Sequence, residues 1–128
     1  MKIAAIIART LLGLGFFVFG LNVFLQFMPA PPLSGAPAQF FGAIAMQTHF
    51  IWFIGFFQIF GGLCALSGRF TPLGLTILSA ILANILAYHL SFHVPGLAPG
   101  IIFGLLDVFC VWTYRANFAG IFSSPTSV

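Results

Sequence analysis

Four long apolar runs, separated by short breaks rich in proline, glycine or polar residues, dominate the pattern along this chain. They cover Ile3–Met28, Phe50–Leu66, Leu73–His93 and Gly100–Phe118. At ~1.5 Å of helix rise per residue, each is about long enough for a ~30 Å hydrocarbon core. The first exceeds that thickness and is expected to tilt or protrude. The connector PAPPLSGAP (29–37) holds four prolines and is predicted to be non-helical. The following AQFFGAIAMQTHF (38–50) places Phe40, Phe41 and Ile44 on one face, with Gln39 and Gln47 elsewhere, which predicts a short interfacial helix. Pro72 suits the first turn of the third span, and VPGLAP closes it. The expected architecture is an all-α membrane protein, one membrane domain over 1–128, built as a four-transmembrane-helix bundle with a short interfacial helix between the first and second spans.

At 100° per residue, small and polar side chains fall into stripes. Arg9 shares a face with Gly13, Phe16, Gly20 and Phe27, and Gln58 sits between Gly55 and Gly62. Ala80, Asn84, Ala87, Tyr88 and Ser91 align on the third run, and Gly100, Gly104, Asp107, Val111 and Tyr114 on the fourth. Small residues on such stripes let helices approach closely. Gln58, Asn84 and Asp107 lie near the midpoints of their runs, and Arg9 about 9 Å in from the end of the first. A charged Asp facing lipid at mid-membrane costs roughly 2.5–3.5 kcal/mol, so Asp107 is expected to turn inward. Arg9 is the only base within a span, which predicts an Arg9–Asp107 contact with Gln58 and Asn84 as hydrogen-bonding neighbours. The candidate intramembrane site is therefore Arg9, Gln58, Asn84 and Asp107, with Tyr88 and His89 toward its mouth. It serves either as helix-to-helix glue, at about 0.6 kcal/mol per contact, or as a proton or ligand site.

Composition fits this picture. Of 128 residues 61% are hydrophobic and only 4% charged, against about 25% charged in a soluble domain. The net charge of +3 rests on Lys2, Arg9, Arg69 and Arg115 against the lone Asp107, with no clustered basic face, so nucleic-acid binding is excluded as an expectation. Lys2, Arg69 and Arg115 all fall on one side of a four-span arrangement, and the opposite loops carry no Lys or Arg. The positive-inside rule makes that side cytoplasmic, with both termini on it. The run after Met1-Lys2 is too long for a signal peptide, and a retained span is expected. Cys64 and Cys110 have neither disulfide-framework nor zinc-ligand spacing. His49, His89 and His93 map to the end opposite the basic residues. His89 and His93 have the i,i+4 spacing of a chelating pair, a weak metal candidate because no carboxylate stands behind it.

Three segments carry a family resemblance: ARTLLGLGFFVFGLN (8–22), QIFGGLCALSGRFTPLGL (58–75) and ANILAYHLSFHVPGL (83–97). Their order resembles the DoxX family of small bacterial four-helix membrane proteins. The resemblance implies a multi-pass protein of the bacterial inner membrane, associated with redox chemistry as a quinone-interacting or oxidoreductase-supporting subunit. It implies a partner membrane or peripheral redox protein, and a quinone as the cofactor to consider ahead of haem or a metal. Distant relatives sharing the bundle imply an alternative, a non-catalytic scaffold, assembly factor or chaperone, and oligomers fit either reading. Two positions depart from the family pattern. Gln58 stands where members commonly have an acid, and Val23 where a basic residue commonly follows FGLN. No catalytic residue is assigned. A small-molecule transporter subunit is a third reading, and the lack of an internal repeat argues against it.

Overall fold

The computed structural model describes residues 1–124 and 127, and every regular element among them is helical. The α-helices are α1 (Lys2–Leu25), α2 (Gly35–Gly42), α3 (Phe50–Ser67), α4 (Thr71–Phe92) and α5 (Leu97–Thr113). A π-helical stretch, Ala43–Gln47, extends α2, and a 3-10 stretch, Arg115–Phe122, follows α5 at a bend of 77°. Among the described residues, α1, α3 and α4 are long and apolar enough to cross a membrane. A fourth crossing is present if α5 and the bent stretch count as one span.

The helix ends differ from those the apolar runs predict, and the causes are local. α1 stops at Leu25 and not at Met28 because Gln26 turns left-handed, with φ of 50°. Its N–H donates to the Asn22 carbonyl at 2.9 Å, and the Met28 N–H donates to Asn22 Oδ1 at 2.7 Å. Asn22 thus ends the helix although the sequence stays apolar beyond it. α2 begins at Gly35, so the last three residues of the proline-rich connector are helical after all. Pro37 lies in the first turn, where a missing N–H breaks no bond. The interfacial helix expected to run on to Phe50 breaks at Thr48, whose hydroxyl donates to the Ala43 carbonyl at 3.0 Å and accepts from the Phe50 N–H at 3.3 Å. α5 starts at Leu97, earlier than Gly100, and ends at Thr113, well short of Phe118.

Glycine governs the packing of α1 on α3. The two helices run antiparallel with Gly13 opposite Gly62 and Gly20 opposite Gly55. A Cβ on Gly13 would lie 2.8 Å from the Gly62 carbonyl oxygen, and one on Gly20 2.8 Å from that of Gly55. The backbones therefore touch, as small-residue stripes permit in lipid, where close van der Waals contact drives helix association. α3 meets α4 in the same way, since a Cβ on Gly74 would lie 2.8 Å from the Gly61 carbonyl oxygen. α5 closes against α4 through Leu86 beside Gly100 and Gly104, and against α1 through the edge-on rings of Phe16, Phe19 and Phe103. Leu12, Phe16, Ala65, Leu75, Leu78, Leu82 and Cys110 fill the centre. Of the 18 phenylalanines only Phe16 and Phe118 are buried. Five more, Phe17, Phe19, Phe92, Phe103 and Phe109, are half-buried, and the others are exposed, an apolar coat that suggests a membrane protein.

Candidate functional site

Asp107 lies midway along α5 on the face turned toward α4, in line with Gly100 and Gly104 on the same helix, and is 7% exposed. Its inward direction agrees with the sequence expectation. The partner does not. Ser79 on α4 donates from Oγ to Asp107 Oδ2 at 2.7 Å, a short charge-assisted or acid–hydroxyl bond, while Oδ1 is buried without a partner. Arg9 and Asp107 form no ion pair. The Arg9 guanidinium packs instead against Gly68 in the turn between α3 and α4, and donates a long 3.5 Å bond to Thr71 Oγ1. Gly68, at φ of 69°, provides both the left-handed turn and the space. The turn holds Arg9 at the end of the molecule, and Ser79 supplies the nearer donor to the carboxyl.

Gln58 is buried between Gly55 and Gly62 as the stripe predicts, and its Oε1 finds no protein partner. Asn84 does not join it. The Asn84 side chain is exposed, and its Nδ2 donates to the Ala80 carbonyl of its own helix at 2.9 Å. The face of α4 that turns inward carries Thr71, Gly74, Leu75, Leu78 and Leu82. The bulk of Leu75, Leu78 and Leu82 outcompetes the Ala80–Asn84–Ala87 stripe for the interior, so that stripe faces out. The expected four-residue polar cluster is thus replaced by the Ser79–Asp107 pair, with Gln58 apart and Asn84 outside.

Tyr88 and His89 sit together at the far end of α4, away from Asp107. The Tyr88 ring packs against Phe40 of α2 and Phe92, and its hydroxyl is buried without a partner. His89 Nδ1–H donates to the Ile85 carbonyl at 2.8 Å. His93 lies just past the helix as its left-handed cap, and His49 stacks edge-on against Trp52. The 89/93 spacing is therefore not helical through both residues. Among the described residues no group of three or more His, Cys, Asp or Glu is gathered as a metal would require. Cys64 and Cys110 are both buried and free.

A cavity of about 480 Å³ opens between α4 and α5, with Ser79 and Asp107 at its inner end and Val108, Val111, Trp112 and Arg115 along its wall and mouth. The Arg115 guanidinium lies 4.6 Å from the Trp112 ring centroid and donates to the Trp112 carbonyl at 2.8 Å, which fixes the mouth. Val108 and Trp112 are exposed on the apolar flank of α5, so the opening faces sideways. The cavity wall is apolar apart from the carboxyl–hydroxyl pair and Arg115, and the cavity is a shallow groove open along one side. Ser79 is the residue that sequence reasoning missed. Its signal was present, since at 100° per residue it borders the Leu75, Leu78 and Leu82 face.

Comparison with family models, with curated proteins and with solved structures finds no match for this chain, so the DoxX resemblance rests on the quoted segments alone.

Proposed function

We propose that this chain is a DoxX-like multi-pass protein of the bacterial inner membrane, a four-span bundle with an interfacial helix after the first span. In this reading it binds a quinone-class molecule and supports a partner redox protein. The single observation that carries the reading is the laterally open α4–α5 cavity ending at the Ser79–Asp107 pair. A lipid-soluble ring enters from the bilayer along Val108, Val111 and Trp112. Asp107 Oδ1 is buried without a protein partner, and in this reading the flank of Val108 and Trp112 gives way so that the carboxyl, when protonated, donates to a carbonyl oxygen of the ring. Ser79 holds the other carboxyl oxygen and orients the group. Electrons come from the partner, and the chain itself positions the ring and one proton-bearing group.

Organic extraction of the detergent-purified protein, followed by mass analysis, tests this. Quinone is expected at near-stoichiometric yield in the wild type and at no more than about one tenth of that in Asp107→Ala, the equivalent of one strong polar contact. Thermal unfolding of both proteins separates lost binding from lost fold. Wild-type extracts without quinone, together with no rise in unfolding temperature when quinone is added back, overturn the reading.

A second reading, a membrane scaffold or assembly factor, is favoured by one feature. Asn84 sits exposed amid Thr76, Ala80, Ala83, Ala87 and Ser91 on the outer face of α4. A carboxamide there offers a partner membrane helix a polar anchor on a surface of small side chains. A co-purifying membrane protein, lost in Asn84→Leu, with no quinone in the extract, favours this second reading.

A further inference from the structure

A second cavity, of about 410 Å³, lies on another seam, between α1 and α5 at the end that carries the basic residues. It is lined by Lys2, Ala5, Ile6, Arg9, Thr113 and Tyr114. Its chemistry differs sharply from that of the α4–α5 cavity. Two of its six residues are cations, and Asp107, the only acid in the chain, lines the other cavity. Arg9 has no carboxylate partner, its one hydrogen bond is the long contact to Thr71, and its Nε is buried with no acceptor. A guanidinium set into a membrane protein with so little compensation is costly unless an anion completes it.

The neighbouring groups reinforce the sign. Lys2 is the first residue of α1, so the positive end of that helix faces the same region. The negative C-terminal end of α5 arrives there too, but several of its carbonyls are already engaged. Phe109 O accepts from Thr113 Oγ1, Cys110 O from the Tyr114 N–H, and Trp112 O from Arg115. Ala5 and Ile6 supply an apolar flank, and the opening lies at the N-terminal end of α1.

We propose that the Lys2–Arg9 cavity binds a phosphate group, that of an anionic phospholipid headgroup whose acyl chains follow the apolar flank past Ile6. On binding, the Arg9 guanidinium gives up its long bond to Thr71 and turns from the Gly68 side to offer N–H donors to phosphate oxygens, while Lys2 adds a mobile point charge at the rim and Tyr114 a phenol. Basic pockets between membrane helices recognise lipid headgroups in this way. The site is separate from the quinone cavity and does not depend on it.

Native mass spectrometry of the full chain in detergent tests the proposal, with dioleoylphosphatidylglycerol, dioleoylphosphatidylcholine and inorganic phosphate as separate probes. One phosphatidylglycerol is expected to stay bound at concentrations where phosphatidylcholine does not. Arg9→Gln should weaken it roughly tenfold or more, the loss of one charged hydrogen bond, and Lys2→Gln by a smaller factor, whereas Arg115→Gln at the same end should leave it unchanged. Lys2 is exposed at a helix terminus, so its variant carries the test if Arg9→Gln fails to fold. Inorganic phosphate that binds and competes away phosphatidylglycerol would keep the phosphate site but assign it to a free anion. Equal retention of both lipids, equal loss in Arg115→Gln, or no phosphate-bearing probe bound at all overturns the proposal. Retained phosphatidylglycerol binding in Asp107→Ala is expected, and it separates this site from the quinone reading.

Discussion

Asp107 and Asn84 are both polar, both sit near the middle of an apolar helix, and end up in opposite surroundings. Asp107 faces α4 and takes a hydrogen bond from Ser79, whereas Asn84 faces out and satisfies its amide on its own helix. A helical wheel shows which residues share a face, and it put Gln58 with Gly55 and Gly62 on the buried side of α3 and Asp107 in line with Gly100 on that of α5. It does not say which of two competing faces turns inward. On α4 that was decided by Leu75, Leu78 and Leu82, whose bulk fills the centre. The Arg9–Asp107 pair was illegible for a related reason, because one turn glycine, Gly68, draws the guanidinium away. The contrast predicts unequal costs. Ser79→Ala should destabilise the protein by about 0.6–1.7 kcal/mol, the measured span for polar contacts between membrane helices, since it strips Asp107 of its donor. Asn84→Leu should change the stability of the isolated chain by less than about 0.5 kcal/mol, as expected where no partner group is lost. Unfolding titrations in mixed micelles measure both.

Among the helix pairs, α1 and α3 make the most extensive contact, and the stripes of Gly13, Gly20, Gly55 and Gly62 were readable as a seam from spacing alone. The ends of the helices were not. Asn22 stops α1 through a side-chain bond that an apolar-run reading passes over, and α5 gives way to a 3-10 stretch after Thr113 although the sequence stays mostly apolar. The seam makes a sharp prediction about glycine. Gly62→Leu should cost at least about 3 kcal/mol, the upper end of ordinary overpacking, because a Cβ there would sit 2.7 Å from the Gly13 carbonyl oxygen and 2.8 Å from the Phe17 backbone nitrogen. Gly42→Ala, with nothing within 4 Å of the new methyl group, should be neutral or stabilising by up to about 1 kcal/mol through helix propensity. Thermal unfolding of the two variants beside the wild type checks the pair, and equal loss in both would mean the seam does not hold the helices together.

For the molecule as a whole, the apolar runs alone made the all-helical class legible, and three of the four runs are helices long and apolar enough to cross a membrane, the last one qualifying only if α5 and the bent stretch count together. What they left out was the 77° bend after Thr113, which turns the last stretch nearly perpendicular to α5 where a straight span was expected to continue. Sidedness follows in our reading from Lys2, Arg69 and Arg115 gathering at one end. Single cysteines introduced at Arg69 and at Ser34, in a background lacking Cys64 and Cys110, report on it. A membrane-impermeant thiol reagent applied to intact cells should label Ser34→Cys and spare Arg69→Cys, and the reverse pattern would invert the assignment.

The glycine seam also has a bearing on time. Gly13 and its opposite number Gly62 are far apart along the chain, so α1 is made well before the helix it fits. At ~5–20 residues per second of synthesis, the first helix waits on the order of seconds in the bilayer with its notched side bare. During that interval the growing polypeptide is open to mispairing with whatever passes, and biogenesis is the stage at which a crowded membrane would select against it.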